Sequence, residues 1–294
     1  MLSILIPTYS YNVYPLVVAI QKQCTESNIT FEVIVFDDGS GSSLNSENEK
    51  INSLQNCLFK AHTENRGRSA IRNLLAKTAK YDWLLFLDAD TIPASDNLIA
   101  NYIPYINNDE KVVYGGIKYQ DIKPDKNQLL RWVYGNKREA LPVKERAKSP
   151  HLRLLTLNFL IKKTVFDNVC FNEDIPNLRH EDTLFSYELM VNKIPVMHIA
   201  NEVYHLGLDT SEVFIKKSEE SVTGLQYLLK NNYLPADYLQ IAKTKKRLNR
   251  YGVSFFAILA FRLLKKPFQN NLKSNTPSLF IFDIYRLGYF CTLK

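Results

Sequence analysis

The first 118 residues alternate short apolar runs with helical patterns, and this alternation restricts the chain to a narrow class of folds. Runs typical of buried strands lie at residues 2–6, 31–36, near 58, 83–87 and 112–117. Helical patterns separate them at residues 14–23, 69–80 and 95–106. A β-α-β-α order predicts a mainly parallel sheet with helices on both faces, so we expect an α/β fold.

Polar signatures follow three of these strands at the point where each strand ends. They read Pro7-Thr8-Tyr9, Asp37-Asp38-Gly39-Ser40 and Asp88-Ala89-Asp90. Because ligands of parallel sheets bind at the carboxyl ends of the strands, we expect all three signatures to belong to one site.

The pair Asp88 and Asp90 has the spacing of a cation site. In extended backbone, residues i and i+2 point to the same side, so the two carboxylates can share a ligand. Oxygen-rich sites suit Mg²⁺ or Mn²⁺. The alternative is a strand end followed by a helix, with Asp90 or Thr91 as the cap.

The segment Asn65-Arg66-Gly67-Arg68 precedes the helix predicted at 69–80, where it predicts an anion site. The alternative is a turn with two solvated cations. The chain has neither G-x-G-x-x-G after the first strand nor a G-x-x-x-x-G-K-[ST] motif. Dinucleotide-dependent dehydrogenases and P-loop enzymes are therefore disfavoured.

A second acidic cluster, His180-Glu181-Asp182-Thr183, lies where a helix is expected to begin and run to residue 192. Acids at a helix N-terminus interact favourably with its dipole, which is the structural explanation. The functional one is a general base for a hydroxyl nucleophile. Downstream, His205 closes an extended piece and can complete a divalent site, or it can be an ordinary hydrogen-bonded histidine. His198 is a weaker candidate.

The net charge of +7 is concentrated near the C-terminus, where residues 236–294 hold 11 Lys and Arg and two acidic residues. A polar, basic excursion at residues 120–150, with one helix near 129–134, has the character of a binding loop. Four scattered cysteines predict reduced thiols in a cytosolic protein, without a zinc site or disulfides. The first residues lack the pattern of a secretory signal.

Five segments in order carry a resemblance to a known family. They are Ser3-Ile4-Leu5-Ile6-Pro7-Thr8-Tyr9, Val33-Ile34-Val35-Phe36-Asp37-Asp38-Gly39-Ser40, Asn65-Arg66-Gly67-Arg68-Ser69-Ala70-Ile71-Arg72-Asn73, Phe86-Leu87-Asp88-Ala89-Asp90 and His180-Glu181-Asp182-Thr183. Over about residues 1–210, the chain resembles family 2 glycosyltransferases, which have the GT-A fold and are usually inverting.

The resemblance implies a donor pocket for a nucleotide sugar. Pro7, Tyr9 and Asp38 would surround the uracil of a UDP-sugar, with Asp38 accepting from the ring N–H. Arg68 would lie against the base or the diphosphate, and Asp88 would hold the ribose.

The resemblance also implies a metal site and a base. Asp90 would coordinate the Mn²⁺ or Mg²⁺ ion that bridges the diphosphate, and His205 would add a metal or diphosphate contact. Asp182 would be the catalytic base, and Glu181 would position the acceptor or support Asp182. Family members often have glycine where this chain has His180.

We therefore expect a metal-dependent inverting transferase that moves a sugar from a nucleotide-sugar donor to a hydroxyl. The acceptor would be a cell-surface glycan or a lipid-linked glycan, in polysaccharide biosynthesis for the cell envelope. One alternative is a nucleotidyltransferase acting on sugar phosphates, which usually has a Gly-rich, basic loop after the first strand that is absent here. The other is a non-catalytic binding protein with a GT-A-like fold.

We expect residues 1–210 to form the catalytic domain, with a nucleotide-sugar half at about 1–118 and an acceptor half at about 119–210. Residues 211–294 would form a basic helical region. Its apolar runs, 255–264 and 279–290, are too short or too interrupted to span a bilayer.

The basic helical region predicts attachment to an anionic membrane surface, at the inner face of the cytoplasmic membrane. The alternative is packing on the catalytic domain. Pairing of the long helices into a homodimer stays open, and no nucleic-acid recognition motif accompanies the basic residues.

Overall fold

The computed structural model describes residues 1–107 and 109–293, and its largest element is a seven-stranded sheet. The strands in chain order are β1 Leu2–Thr8, β2 Phe31–Asp37, β3 Cys57–Ala61, β4 Trp83–Leu87, β5 Thr91–Pro93, β6 Val112–Tyr114, β7 Ile117–Lys118, β8 Asn158–Lys162, β9 Val196–His198 and β10 Val203–His205. The large sheet has the order β3-β2-β1-β4-β8-β6-β9, and a small sheet has the order β5-β10-β7. In the large sheet only β8 runs antiparallel to its neighbours, which confirms the predicted mixed, mainly parallel α/β fold.

Twelve α-helices lie in the described part of the chain. They are α1 Tyr14–Glu26, α2 Asn45–Asn48, α3 Arg68–Thr78, α4 Leu98–Tyr102, α5 Leu129–Tyr134, α6 Val143–Arg146, α7 Lys163–Asn168, α8 Glu181–Val191, α9 Ser211–Lys230, α10 Gln240–Arg250, α11 Ser254–Leu272 and α12 Leu279–Thr292. Short 3₁₀-helices lie at Glu49–Ser53, Ile103–Tyr105, Lys126–Gln128 and His151–Arg153, and a short π-helix lies at Gly135–Glu139.

The chain forms two compact units. The first contains Met1–Gln120, Glu139–Asn177 and Glu181–Gly207, and it holds both sheets. The second contains Asp121–Arg138, Leu178–His180 and Leu208–Lys294, and it is helical.

The core of the first unit explains why its central strands are mostly apolar. Every residue of β2 and β4 is buried, as expected for central strands covered on both faces. Aromatic rings fill the space beside β4 and β8, with Phe86 stacked on Phe159 at 4.9 Å and Phe171 stacked on Phe185 at 4.4 Å. This packing holds the end of β4, and therefore Asp88, at a fixed position.

Two predicted elements differ from the structure. The helix expected at residues 95–106 is α-helical only over Leu98–Tyr102, because Pro104 has no N–H to continue the hydrogen-bond ladder. The strand expected at residues 112–117 is interrupted at Gly116, whose φ of +103° is a conformation that glycine adopts without strain. The break places β6 in the large sheet and β7 in the small one.

The small sheet shows that the acidic pair at the end of β4 does not lead into a helix. The strand β5 follows directly and pairs antiparallel with β10, with Thr91 opposite His205. The alternative of a helix cap at Asp90 or Thr91 is therefore wrong.

The second unit has its own apolar core, built from α5, α9, α11 and α12. Buried members include Leu130, Ile215, Phe261, Phe282 and Tyr285. Among the described residues, no helix combines the length and apolar character needed to cross a membrane.

Replacing Phe166 tests the aromatic core of the first unit. Phe166 is 1% exposed and packs against Phe86 at 5.2 Å. We expect Phe166→Ala to lower the free energy of unfolding by about 3–5 kcal/mol, since a buried ring is replaced by a cavity. Val191→Ala, at a 53% exposed position of the same unit, is the control and should change it by less than about 0.5 kcal/mol. Equal effects of the two substitutions in urea titrations would contradict this account of the core.

Candidate active site

A pocket lies at the carboxyl ends of β1, β2 and β4. It is lined by Pro7, Thr8, Tyr9, Tyr11, Asp38, Arg68, Ile71, Arg72, Asp88, Ala89 and Asp90. The three strands are parallel neighbours, so the residues that follow them emerge at one edge of the sheet. The structure thus brings together all three predicted signatures and Arg68.

Asp38 organises one wall of the pocket. One of its carboxylate oxygens accepts from the backbone N–H of Arg66 at 2.8 Å, and the other accepts from that of Gly67 at 2.9 Å. The side chain of Asn65 donates to the Asp38 carbonyl at 3.0 Å. Each carboxylate oxygen has a second lone pair, so Asp38 can still accept from a ligand while it fixes the loop before α3.

Arg72 is a functional residue to which the sequence analysis assigned no role. Its side chain is 8% exposed, and it donates to Asp88 Oδ1 at 2.8 Å. The same guanidinium lies 3.8 Å from Glu181 Oε1, and the Arg68 guanidinium lies 4.0 Å from the same atom. Arg68 and Arg72 are four residues apart in the sequence. This spacing predicts that both side chains lie on the same face of α3.

Through this arginine pair, the pocket is connected to the acidic start of α8. Glu181 and Asp182 do not line the pocket itself. Glu181 nevertheless contacts both arginines that do. The structure therefore places the predicted acceptor-side carboxylates beside the donor-side residues, with Arg72 between Asp88 and Glu181.

Asp182 is electrostatically distinct from an ordinary surface carboxylate. Its Oδ1 accepts from the backbone N–H of Thr183 at 2.7 Å. Burial and the adjacent charge of Glu181 raise the pKa of Asp182 to about 6, against the opposing effects of the Thr183 N–H and of Arg72. A carboxyl group with such a pKa can accept a proton near neutral pH and release it again.

Asp90 and His205 meet because β5 pairs with β10. Asp90 Oδ2 lies 3.3 Å from His205 Nε2, and the backbone N–H of Leu206 donates to the Asp90 carbonyl at 2.8 Å. His205 Nδ1 is buried and has no hydrogen-bond partner among the described residues. The ring of Tyr119 lies against the imidazole at 5.6 Å between centroids.

Gly207 is a second residue that the sequence analysis did not identify. A Cβ atom at this position would lie 2.4 Å from Asp90 Oδ2. A side chain here would therefore push the Asp90 carboxylate away from its position beside His205. This contact joins distant parts of the chain, and no local pattern reveals it.

The donor atoms of Asp90 and His205 fit a divalent cation that has further ligands from outside the protein. No cluster of three or more His, Cys, Asp or Glu side chains that could hold a metal occurs among residues 1–107 and 109–293. One carboxylate and one imidazole match a Mg²⁺ or Mn²⁺ ion that takes its remaining ligands from phosphate and water.

Two other histidines serve the structure. His198 contacts Arg146 at 3.2 Å and the Pro150 carbonyl at 3.0 Å, and burial lowers its pKa to about 4. His180 has a φ of +75° and the preceding Arg179 a φ of +69°, and His180 shares a hydrogen bond with Ser221. A positive φ is the conformation that favours glycine, the residue often found at the position of His180 in the resembling family.

Comparisons with known proteins identify similar sequences. An uncharacterized glycosyltransferase, YfnE of Bacillus subtilis, is 34% identical over 125 residues, which cover 41% of this chain and 30% of that protein. Chondroitin synthase of Escherichia coli is 27% identical over 221 residues, which cover 64% of this chain and 32% of that protein. The chain thus spans about a third of the length of the curated relatives it matches.

Solved structures share the fold. Residues 1–349 of S. aureus TarS in complex with UDP-GlcNAc align with a TM-score of 0.51 and 16% identity, over 98% of this chain and 89% of that one. Mannosyltransferase PcManGT from Pyrobaculum calidifontis, in complex with GDP-Man and Mn²⁺, aligns with a TM-score of 0.51 and 15% identity, over 78% and 64% of the two chains.

The family model described as glycosyl transferase family 2 matches residues 3–172, more than half of the 294 residues. This segment contains β1, β2, β4 and the pocket at their carboxyl ends. With its GT-A fold, the chain belongs to glycosyl transferase family 2.

Proposed function

We propose that the protein is a metal-dependent, inverting glycosyltransferase that takes a sugar from a UDP-linked donor. The observation that carries the proposal is the pocket in which Asp38, Asp88 and Asp90 meet Arg68 and Arg72 at one edge of the sheet. A nucleotide sugar has a flat base, a ribose diol and a charged diphosphate. This pocket offers a carboxylate or a cation that could bind each of these three groups. UDP-GlcNAc and GDP-Man in the two solved relatives support a donor of this class.

Pro7, Tyr9 and Asp38 would receive the base, and Asp88 would accept from the ribose hydroxyls. Arg72 is a positioning residue in this scheme, because its hydrogen bond orients Asp88. Burial raises the pKa of Asp88, and the charge of Arg72 opposes that rise. Arg68, 42% exposed at its side chain, can reach the diphosphate or the base.

Asp90 and His205 would hold the cation. A bound Mn²⁺ or Mg²⁺ offsets the charge that develops on the nucleoside diphosphate leaving group. PcManGT is a relative whose structure includes Mn²⁺. In this chain, Gly207 and the pairing of β5 with β10 would keep the two protein ligands in place.

Asp182 would be the general base and Glu181 its neighbour on the acceptor side. The carboxylate removes a proton from an acceptor hydroxyl while the hydroxyl oxygen attacks the anomeric carbon. The bond from that carbon to the diphosphate oxygen breaks on the opposite face, so the anomeric configuration inverts. The raised pKa of Asp182 suits this proton transfer.

The acceptor in this proposal is a hydroxyl of a cell-surface or lipid-linked glycan. Residues 1–210 would form the catalytic domain, with the donor bound mainly by 1–118 and the acceptor by 119–210. The basic segment from 120 to 150 would contribute to acceptor choice. The protein would act in polysaccharide biosynthesis at the inner face of the cytoplasmic membrane.

Nucleotide binding tests the donor pocket directly. We expect UDP to raise the thermal unfolding midpoint in the presence of Mn²⁺, because a ligand that binds only the native state stabilises it by mass action. GDP, CMP and TDP serve as comparison nucleotides, and they should raise the thermal unfolding midpoint by less than UDP does. A larger shift with one of these three would overturn the uracil assignment, and no shift with any nucleotide would contradict the donor pocket.

Substitutions at the cation site should separate metal binding from nucleotide binding. We expect Asp90→Ala and Gly207→Ala to abolish the additional stabilisation that Mn²⁺ provides to the UDP complex, the second by displacing the Asp90 carboxylate. Weak stabilisation by UDP without metal should remain in both variants. Ser43→Ala is the control, because Ser43 is exposed and does not line the pocket. An unchanged response to Mn²⁺ in Asp90→Ala would exclude Asp90 as a ligand.

The proposed base predicts a pH profile with a defined direction. Asp182 must be deprotonated to act, so kcat should rise through pH 6 and level off above about pH 7. Asp182→Asn should lower kcat by roughly 10²–10⁴-fold, which is about 3–5 kcal/mol in barrier, and leave UDP binding intact. Initial rates with a UDP-sugar and an acceptor glycan measure both effects. Retention of more than about a tenth of the wild-type kcat would assign the base to another residue.

A further inference from the structure

Helix α11 has two apolar faces, and only one of them is covered in the second unit. The inner face carries Phe261, which is 5% exposed and lies 5.2 Å from the ring of Tyr285 on α12. A Cβ at Gly288 of α12 would lie 2.7 Å from the Phe261 ring, so the two helices pack closely there.

The outer face of α11 consists of Phe255, Phe256, Leu259 and Leu263. Their exposed fractions are 66%, 66%, 44% and 71%. Counting from Phe255, they occupy positions i, i+1, i+4 and i+8, which form one stripe about 100° wide on a helix. Single apolar residues at a surface are common, but a continuous stripe with two phenylalanines is typical of an interaction surface.

Exposed cations lie on α11 and at the end of the helix that precedes it. Arg262 and Lys266 lie on α11 itself, and Arg247 and Arg250 lie at the end of α10, which precedes it. In the part of the chain that the structure describes, none of these four forms an ion pair. Their charges are therefore available to an anionic partner.

Acidic residues in this region are already paired. Residues 236–294 contain only Asp237 and Asp283. Asp237 lies 3.4 Å from Lys246, and Asp283 lies 2.8 Å from Arg138. Two carboxylates of α9 also reach this segment, and they pair with lysines: Glu219 lies 3.7 Å from Lys265, and Glu212 lies 3.2 Å from Lys273. The segment 236–294 thus joins an exposed apolar face to an excess of positive charge.

We propose that the outer face of α11 binds the surface of an anionic phospholipid bilayer. The phenylalanine and leucine side chains enter the boundary between headgroups and acyl chains, and Arg262 and Lys266 contact the lipid phosphates. This combination of an apolar stripe with flanking cations is the pattern of a helix that lies in a membrane interface. With Arg262, Lys265 and Lys266 in its middle, α11 lies on the bilayer and does not cross it.

A second copy of the chain fits this face less well. Symmetric pairing through α11 would bring the four exposed cations of each copy toward those of the other. Asp237 and Asp283, the acidic side chains of the described residues 236–293, are already paired and do not offset these charges. Like charges across an interface oppose association. Anionic lipid offers both the apolar phase and the compensating charge.

Vesicle co-sedimentation of the full chain tests the proposal. We expect binding to vesicles of phosphatidylglycerol and phosphatidylcholine at low salt, weaker binding at high salt, and little binding to phosphatidylcholine alone. The double variant Phe256→Ser/Leu263→Ser should bind at least about tenfold more weakly. The double variant Arg262→Gln/Lys266→Gln should lose roughly 30-fold in affinity, since each cation contributes about fivefold.

Ile122→Ser is the matched control, because Ile122 is an exposed apolar residue of the same unit, at 81%, outside the α11 face. Its binding should equal that of the wild type, and all variants should keep the wild-type thermal midpoint. Failure of the wild type to bind anionic vesicles would overturn the proposal, as would an equal loss in the control.

Sedimentation velocity provides a further test. A dimer that Phe256→Ser/Leu263→Ser dissociates would assign the face to a second copy and overturn the lipid assignment. Stabilisation by UDP reports on the donor pocket separately, so failure of this proposal and failure of the proposed function are distinguishable.

Discussion

The candidate site depends on one buried cation. Arg72 is almost inaccessible to solvent, and the cost of burying its charge is offset by a hydrogen bond to Asp88 and by the nearby charge of Glu181. Removing either partner leaves an incompletely compensated charge in the wall of the pocket. The arrangement therefore makes Asp88 and Glu181 parts of a single electrostatic unit, although 93 residues of sequence separate them.

The same arginine influences the proposed base. Asp182 is next to Glu181, whose charge raises the pKa of Asp182, while Arg72 lowers it. The balance leaves a value of about 6, between that of a free carboxyl group and that of a fully buried one. In the proposed mechanism, Arg72 would thus link proton transfer at Asp182 to donor binding at Asp88.

The small sheet positions Asp90 and His205, the second group of residues at the candidate site. Its strands pair a segment that follows Asp90 with a segment that ends at His205, more than 100 residues later. The positive φ of Gly116 lets the chain leave the large sheet and enter the small one. Gly207 then leaves room for the Asp90 carboxylate, so two glycines outside the acidic motif influence where Asp90 and His205 lie.

The α/β class, the strands β1, β2 and β4, and the edge at which the polar signatures meet could all be predicted from the sequence. Buried parallel strands are continuous apolar runs, and their ends must emerge together. The packing of the folded chain was needed to show that Arg72 joins Asp88 to Glu181, that Asp90 Oδ2 lies 3.3 Å from His205 Nε2, and that Gly207 lies against Asp90. These are contacts between residues distant in sequence, and no local pattern specifies them. The exposed stripe on α11 is a further feature that the sequence does not specify. The apolar run at 255–264 has residues on both faces of the helix, and only the packing shows which face is covered.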